Sequence, residues 1–576
     1  MKITLLISSL ALSTLLSAQC LLKEVPLAER VQNASVIVEG KVISKKSFRN
    51  EQHNNICTAN AVEVYKVFKG NPATDKFIII TEGGVLDGKA VIAEPSLKLS
   101  NGQTGIFFVN ADGKPCAGQQ GFIQYDFTLN RAADAFASFN GITTNLYQKI
   151  KSLTGKPITI VKPFDVNEHL QGGERAAPVI SNFSPATVSA GTGMMLTING
   201  SNFGSSQGSG YVSFRDADMG GSAYTGVTEP LYYQSWTDTQ IQILVPGDAM
   251  VNSIGTGSIR VTNNSSETGT SASPLTIDFN RYEVIYGGSI IPTILYDDNG
   301  SGGYTFRPHT EVAALPAATA ALTRAMSTWN CADQINWNIS GTSTTTDVTA
   351  SDGVNVIRYD NGTELPSGVL GYGSSYWSLY SNFIDSFWVL TEADITINDG
   401  TNWNYGPANP GGAQYDFESV FLHELGHIHQ FNHMVNTSSP MYYGIGNGQT
   451  KRYLVAGDIA GGNNVCNGSV SAANDMGMAP MNLFYGPGCM TGAPQTAFEN
   501  SSIEIYPNPA SATITIKANL PGSAASFEVF DLLGNKCSIA RIKENLFDIS
   551  YLKRGIYVLK VTDQFSSAAY RFSVVK

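Results

Sequence analysis

Residues 416–443 read Asp-Phe-Glu-Ser-Val-Phe-Leu-His-Glu-Leu-Gly-His-Ile-His-Gln-Phe-Asn-His-Met-Val-Asn-Thr-Ser-Ser-Pro-Met-Tyr-Tyr and contain four of the chain's seven histidines. Apolar residues recur at helical spacing from Phe417 to Leu425, and Asp416 is suited to cap the first turn. Histidine is rare elsewhere in the chain, so its concentration between positions 423 and 433 requires a local cause. The stretch therefore predicts a helix that carries a metal site.

The predicted helix places His423 and His427 one turn apart on the same face. Both imidazoles can reach one cation, whereas Glu424 is rotated off their face and can reach a water molecule beside it. His-Glu-x-x-His on a helix is the pattern of zinc proteases. Zinc lowers the pKa of its water to about 7, so the pattern predicts that Glu424 takes the proton of that water as general base.

A third ligand is expected because a catalytic zinc usually has three protein ligands. His433 follows His427 by six residues, so the helix must end near Gln430 and the chain must turn back. The whole pattern resembles the metzincin signature, His-Glu-x-x-His-x-x-Gly-x-x-His. Met441 follows His433 at the distance of the matrixin Met-turn. The resemblance implies zinc bound by His423, His427 and His433, with Glu424 as base.

Three residues of the stretch need separate interpretation. Gln430 stands where the family has glycine, which costs about 1–2 kcal/mol if the turn is left-handed. Tyr443 either corresponds to the tyrosine that reaches zinc in the astacin and serralysin branches, as a possible transition-state residue, or lines the cleft wall. His429 projects from another face of the helix than His427, and an exposed polar role is expected for it.

The composition indicates a secreted, β-rich protein of several domains. The chain has 576 residues, of which 14% are charged and 57 are glycine. Its net charge of −11 and the lack of a basic patch exclude a nucleic-acid partner.

Residues 1–18 have the pattern of a secretory signal peptide, and no later stretch is long and apolar enough to cross a membrane. Lipidation of Cys20 is disfavoured by Gln19. Export permits disulfides, for which Cys57–Cys116 and Cys331–Cys466 are reasonable pairs and Cys466–Cys489 is an alternative.

The first half of the chain divides into two predicted β-domains. Residues 20–165 contain four runs rich in β-branched residues, 34–44, 61–68, 76–81 and 105–109. Their order resembles a small OB-like barrel of netrin-type and metalloprotease-inhibitor modules, which implies an accessory or an inhibitory domain. Residues 178–279, with Pro178-Val-Ile-Ser-Asn-Phe-Ser-Pro185 and Gly193-Met-Met-Leu-Thr-Ile-Asn-Gly200, resemble an IPT/TIG domain, an Ig-like β-sandwich that usually carries no chemistry.

Residues 281–470 form the predicted α/β catalytic domain. Strand-like runs, a helix from Ala313 to Asn330, further strands and the histidine helix follow in the order found in matrixins. The resemblance implies an edge strand that pairs with an extended peptide substrate. The residues assigned to that edge strand are Val369, Leu370, Gly371 and Tyr372. Asp394 and Asp399 are candidate calcium ligands, although such residues more often lie in turns.

The C-terminal part is predicted to be a linker, residues 471–500, followed by a small β-sandwich, residues 503–576. The sandwich contains Ile503-Glu-Ile-Tyr-Pro-Asn-Pro-Ala510 and Leu552-Lys-Arg-Gly-Ile-Tyr-Val-Leu-Lys-Val561. Both motifs resemble the C-terminal sorting domain of the type IX secretion system. The resemblance implies recognition by that machinery, passage through the outer membrane, and a secreted or surface-attached product.

The predicted function is that of a secreted, zinc-dependent endopeptidase. One alternative is a surface adhesin with a vestigial protease fold, but a pseudo-protease would commonly lose Glu424 or a ligand. A zinc hydrolase for a non-peptide bond is disfavoured because the predicted edge strand suits a peptide. The chain has no Pro-Arg-Cys-Gly cysteine switch before residue 281, so the N-terminal domain is the candidate for keeping the enzyme latent.

Overall fold

The computed structural model describes residues 22–50, 55–72, 75–170, 176–362, 364–382, 385–484, 503–518, 526–531, 536–543, 546–562 and 567–575. The predicted signal peptide, Cys20 and Cys489 lie outside these residues. The chain forms four successive domains that are rich in β-structure.

The N-terminal domain is built on an antiparallel sheet with apolar side chains buried on both faces. Its elements are α1 (Leu27–Asn33), β1 (Val36–Asn50), β2 (Asn55–Lys69), β3 (Lys76–Glu82), β4 (Gly84–Leu86), β5 (Lys89–Glu94), β6 (Thr104–Val109), β7 (Phe122–Asp126), β8 (Arg131–Ala133), β9 (Ser138–Asn140), α2 (Tyr147–Thr154), β10 (Thr159–Ile160) and α3 (Val166–Leu170). The sheet order is β10-β2-β1-β6-β7-β8-β9, with β3 beside β2. All four predicted strand runs are confirmed, but the pairing of the described strands does not close into an OB-like barrel.

The second domain is an Ig-like β-sandwich with a continuous apolar core between its sheets. Its strands are β11 (Val179–Ser184), β12 (Thr187–Ala190), β13 (Met195–Ser201), β14 (Tyr211–Asp216), β15 (Tyr224–Val227), β16 (Tyr233–Trp236), β17 (Gln240–Leu244), β18 (Ile254–Thr262), β19 (Thr268–Thr270) and β20 (Thr276–Asn280). One sheet has the order β11-β13-β17-β16, and the other has the order β15-β14-β18-β19.

The third domain combines a mixed sheet with three long helices and one single-turn helix, α4, among its described residues. Its elements are β21 (Glu283–Tyr286), β22 (Ser289–Ile294), β23 (Tyr304–Pro308), α4 (Thr310–Ala313), α5 (Pro316–Asp333), β24 (Trp337–Ile339), β25 (Val356–Tyr359), β26 (Gly371–Ser381), β27 (Ser386–Ile397), β28 (Trp403–Asn404), β29 (Tyr415–Asp416), α6 (Phe417–Ile428) and α7 (Ala456–Asp475). β24, β23, β25 and β27 run parallel, and β26 follows antiparallel to β27. The predicted strand, helix and strand order is confirmed.

The mixed sheet of the third domain does not end at β26, because β5 and β4 of the N-terminal domain continue it. The predicted edge strand is therefore an inner strand in this structure. It also begins at Gly371, so the predicted members Val369 and Leu370 precede it.

Helix α6 begins after Asp416 as predicted, whereas α5 begins at Pro316, three residues after the predicted start at Ala313. Pro316 occupies the first turn of α5, where its missing N–H costs nothing. Asp416 caps α6 by accepting a hydrogen bond from the Ser419 N–H at 3.1 Å, and Arg452 binds the same carboxylate with two nitrogens. Helix α7 ends at Asp475 and so extends into the predicted linker, residues 471–500. Met481 is buried against the domain core, so the third domain reaches beyond residue 470.

The cysteine pairings predicted from sequence are wrong. Cys57, Cys116 and Cys466 are buried, unbridged thiols, whereas Cys331 is in a disulfide. Burial raises the pKa of the Cys57 thiol to about 11. Two cysteines that share a predicted domain need not form a disulfide, because the bond requires Cα atoms within about 7 Å and suitable Cβ directions.

The C-terminal domain is a small β-sandwich, as predicted. Its strands are β30 (Ile503–Tyr506), β31 (Thr513–Ala518), β32 (Ser526–Asp531), β33 (Lys536–Cys537), β34 (Ala540–Lys543), β35 (Leu546–Asp548), β36 (Gly555–Thr562) and β37 (Ser567–Val574). They form two sheets around one apolar cluster. No helix among the described residues has the length and apolar character needed to cross a membrane.

Candidate metal centre

The helix α6 and the bend after it bring the three predicted ligands together. Gln430 has φ 77°, so it adopts the left-handed turn that the family assigns to glycine. The Gln430 side chain is held by the Thr293 hydroxyl, which donates to its Oε1 at 2.6 Å. The turn directs His433 back towards His423 and His427, with ring centroids 5.2 and 4.9 Å away.

Each ring has a hydrogen-bond acceptor at Nδ1. The Pro440 carbonyl lies 2.6 Å from His423 Nδ1, and the Phe431 carbonyl lies 2.8 Å from His427 Nδ1. An Asp218 carboxylate oxygen lies 2.7 Å from His433 Nδ1. These acceptors favour the tautomer with hydrogen on Nδ1, which leaves the Nε2 lone pairs free to bind a metal.

The free nitrogens converge on one another. His423 Nε2 and His427 Nε2 are 2.7 Å apart, and one nitrogen from each ring lies within 4.8 Å of the others. Two lone pairs at that distance repel unless a proton or a cation lies between them. Burial first, and then the neighbouring imidazoles, lower the pKa of His423 and His427 well below the usual value, so a proton is disfavoured. The donor set therefore fits a divalent cation such as zinc.

Glu424 lies beside the ligands and beneath β26. A Cβ added to Gly371 would lie 2.7 Å from Glu424 Oε1, and one added to Gly373 would lie 3.3 Å from Oε2. The carboxylate is fully buried, and neither oxygen has a hydrogen-bond partner of good geometry among the described residues. Burial, with a contribution from Glu94, raises its pKa well above the usual value. A buried carboxylate of this kind is suited to taking up a proton.

Met441 lies in the turn below the ligand helix, as predicted. It is fully buried, and a Cβ added to Gly426 of α6 would lie 2.1 Å from its sulfur. Gly426 therefore allows the turn to approach the helix closely, which positions Pro440 to accept the His423 hydrogen bond.

The second domain closes one side of the centre, a role that sequence reasoning missed. Besides Asp218, the Gly247 carbonyl accepts a hydrogen bond from the Asn432 side chain at 3.1 Å. Gly255 packs against Val435 so closely that an added Cβ would lie 2.3 Å from it. No sequence signal identifies Asp218, because it lies 215 residues from His433.

The N-terminal domain covers the opposite side. Strand β5 pairs antiparallel with β26 from Gly373–Glu94 to Ser378–Lys89, and Leu22 forms a bridge to Val369. Tyr443 is buried, and its hydroxyl donates a hydrogen bond to the Ala135 carbonyl at 2.5 Å. That hydroxyl is engaged by the N-terminal domain, although Tyr443 follows the Met-turn as expected. All three ligands and Glu424 are at most 1% exposed.

The sequence interpretation of His429 differs from the structure. His429 is fully buried rather than exposed, and it contacts Asp333 at 2.9 Å. Asp394 lies within β27, whereas Asp399 follows two residues after that strand ends, and calcium binding by these residues stays a prediction. Both Asp394 oxygens accept backbone N–H groups, from Val356 and Ala350. These contacts give Asp394 a structural role in the loop before β25.

Comparisons with known proteins assign two of the four domains. The family model for the IPT/TIG domain matches residues 178–279, and that for the secretion system C-terminal sorting domain matches residues 504–575. The chain therefore carries a type IX secretion signal and is exported across the outer membrane to the surface or the medium. Neither match includes the three histidines or Glu424.

The remaining comparisons add no functional information. No curated protein matches the chain. One solved structure, from work described as "Structural basis for Dscam isoform specificity", is 10% identical over 93% of this chain and 98% of that chain. Its TM-score is 0.12, which carries no argument about fold or function.

Proposed function

We propose that this protein is a secreted zinc endopeptidase that is held latent by its N-terminal domain. The observation that supports the activity is the convergence of one ring nitrogen from each of the three histidines, beside a buried Glu424 whose oxygens have no hydrogen-bond partner among the described residues. The proposal is also supported by the position of strand β26, whose Gly371 and Gly373 lie against the Glu424 carboxylate of helix α6.

Zinc bound by His423, His427 and His433 would supply Lewis acidity and lower the pKa of water to about 7. In the reaction, Glu424 takes the proton of the attacking water and delivers it to the leaving amine. Strand β26 holds the peptide in an extended conformation through main-chain hydrogen bonds. The small residues Gly371 and Gly373 allow the strand to lie directly over the Glu424 carboxylate.

The first experiment compares the wild type with Glu424→Ala. Zinc content is measured by metal analysis, and peptidase activity is measured on casein or gelatin. The mutant is expected to retain zinc and to lose about 10²–10⁴-fold in activity, which is the usual contribution of a general base. Undiminished activity in the mutant would contradict the role of Glu424, and a wild type without zinc would contradict the enzyme assignment. If the zinc-loaded protein stays inactive even when the pairing of β5 with β26 is weakened, the result would favour a binding protein over an enzyme.

Latency is supported by the strand pairing at the catalytic sheet. An extended substrate would add to the free side of β26, but β5 of the same chain already occupies that side over six residue pairs. The burial of all four site residues agrees with this arrangement. Substrate must therefore displace β5, or β5 must be removed, before cleavage.

A proline in β5 tests latency in the full chain. Gly83 directly precedes β4, and a Cβ added to it would lie 2.9 Å from the Val91 oxygen and 3.7 Å from the Ala93 nitrogen, so the backbone groups of these two residues face β4. Because successive residues of a strand alternate in direction, the Ala90 N–H faces β26. Ala90→Pro removes a donor to β26 and is expected to raise activity at least about tenfold.

Val91→Pro is the matched control, because its N–H faces β4 instead of β26. It should raise activity less than Ala90→Pro does. Equal activity of Ala90→Pro and wild type, with zinc bound in both, would contradict latency but not the enzyme assignment.

A further inference from the structure

The carboxylate of Asp218 belongs to the TIG domain but binds a residue of the candidate metal centre. It lies in the segment between β14 and β15, and its Oδ1 is 2.7 Å from His433 Nδ1. Both side chains are buried, with 6% and 2% exposure. From this contact we infer that Asp218 is the positioning residue of the third zinc ligand, an inference that rests on the proposed zinc site.

The three ligands differ in the acceptor that fixes them. His423 and His427 donate to the neutral carbonyls of Pro440 and Phe431, which lie close to them in sequence. His433 alone faces a carboxylate. A carboxylate behind a metal-binding histidine fixes the ring orientation and raises its basicity. His433 should therefore be the strongest electron donor of the three.

His433 needs this support more than the other two ligands. His423 and His427 are held by the backbone of α6, whereas His433 follows the bend at Gln430. His433 has a second hydrogen bond to the TIG domain, because its backbone N–H donates to Ser253 Oγ at 3.4 Å. The Ser253 N–H also donates to Asp218 Oδ2 at 3.1 Å. The Asp218 carboxylate is thus held in position by a residue of its own domain as well as by His433.

The consequence is that the TIG domain is part of the catalytic unit. IPT/TIG modules usually serve as spacers or binding surfaces, which was also the expectation from sequence. Here the domain supplies a charged group to the ligand sphere and packs against the loop after His433 through Gly255 and Val435.

The chain offers a matched control for Asp218. Asp216 is an equally buried carboxylate two residues away, and it accepts hydrogen bonds from Thr225 Oγ1 at 2.8 Å and from Asn252 Nδ2 at 2.7 Å. It has no described contact with His433. Asp216→Asn therefore tests the effect of changing a neighbouring buried carboxylate, at the end of β14.

The experiment measures zinc affinity of the full chain by competition with a chelator for wild type, Asp218→Ala, Asp218→Asn and Asp216→Asn. The alanine variant is expected to bind zinc about 10–100-fold more weakly, as outer partners of zinc ligands usually do. The asparagine variant keeps an acceptor for His433 Nδ1 and should lie between it and the wild type. Asp216→Asn should match the wild type.

Two additional measurements separate positioning from folding. Thermal unfolding of the metal-free proteins reports any purely structural role, and the visible absorption of the cobalt-substituted proteins reports ligand geometry. A changed cobalt spectrum in Asp218→Ala, with unchanged bands in Asp216→Asn, supports positioning.

Unchanged zinc affinity in Asp218→Ala would overturn this inference and leave the proposed enzyme standing. A wild type that binds no zinc would overturn both. Zinc affinity that is reduced equally in Asp218→Ala and Asp216→Asn would show a general effect of the loop and would overturn the specific role of Asp218.

Discussion

Among the described residues of the third domain, two buried clusters consist of side chains of the types that bind metals, and one of the two has the features of a metal centre. The first is His423, His427 and His433, and the second is Asp333, His429 and Cys466. Both have ligand atoms within 4.8 Å of one another. They differ in which ligand atoms already take part in hydrogen bonds.

In the first cluster the partners occupy Nδ1 and leave every Nε2 free. In the second, His429 uses Nε2 to contact Asp333 at 2.9 Å and lies 4.0 Å from the Cys466 sulfur. Burial, with a contribution from Asp333, raises the pKa of the Cys466 thiol well above its usual value, so the thiolate that metals require is disfavoured. Proximity of donor residues is thus a weaker criterion than the availability of their lone pairs.

The largest effect that separates the clusters is expected in zinc binding. His433→Ala removes a ligand, and zinc affinity should fall by more than the roughly 10–100-fold expected for an outer partner. His429→Ala should leave one zinc per folded chain, although it empties a buried site between Trp329 and Trp337 and should cost about 2–5 kcal/mol of stability. Metal analysis measures the zinc content, and urea unfolding measures the stability. An equal loss of zinc from His433→Ala and His429→Ala would contradict the assignment of the metal to the first cluster alone.

A smaller effect, on kcat, is expected from a substitution in β26 where this strand passes over Glu424 beside the first cluster. Gly371→Ala places a methyl group against Glu424 Oε1 and Val420, so the base must move. Displacement of a reacting group by about 1 Å can cost 10²-fold in rate, and kcat should fall to that extent while zinc content stays constant. Gly412→Ala is the control, because its added Cβ meets nothing within 4 Å. An unchanged kcat in Gly371→Ala would show that Glu424 is not confined by β26.

The smallest effect is expected at the bend that separates the two clusters. Gln430→Gly removes a left-handed penalty of about 1 kcal/mol but also the Thr293 hydrogen bond, which is worth about as much. The net change in the free energy of unfolding should stay within about 1 kcal/mol. Gln430→Ala keeps the penalty, loses the bond and should be less stable than Gln430→Gly. The opposite order would show that the φ of 77° carries no net penalty for a residue with a side chain.

The parts of the molecule that could be predicted from sequence are those set by local periodicity. The cap at Asp416, the common face of His423 and His427, and the turn that returns His433 all follow from spacing along one segment. The TIG and sorting domains were recognisable because their strand and turn motifs are contiguous.

What could not be predicted depends on contacts between distant segments. Asp218 is brought to His433, and β5 is brought to β26, by domain packing that no local pattern encodes. The burial of His429 was missed for the same reason, since Trp329 and Trp337 surround it from other elements. The cysteine pairs were wrong because sequence separation does not fix Cβ geometry.

The central claim is that one metal ion binds among His423, His427 and His433. Anomalous diffraction from crystals of the zinc-loaded full chain, recorded on both sides of the zinc absorption edge, locates the ion without reference to activity. The account predicts one peak about 2.0–2.1 Å from the Nε2 atom of each of these histidines. A peak at Asp333 and His429 instead, or no peak beside Glu424, would contradict it.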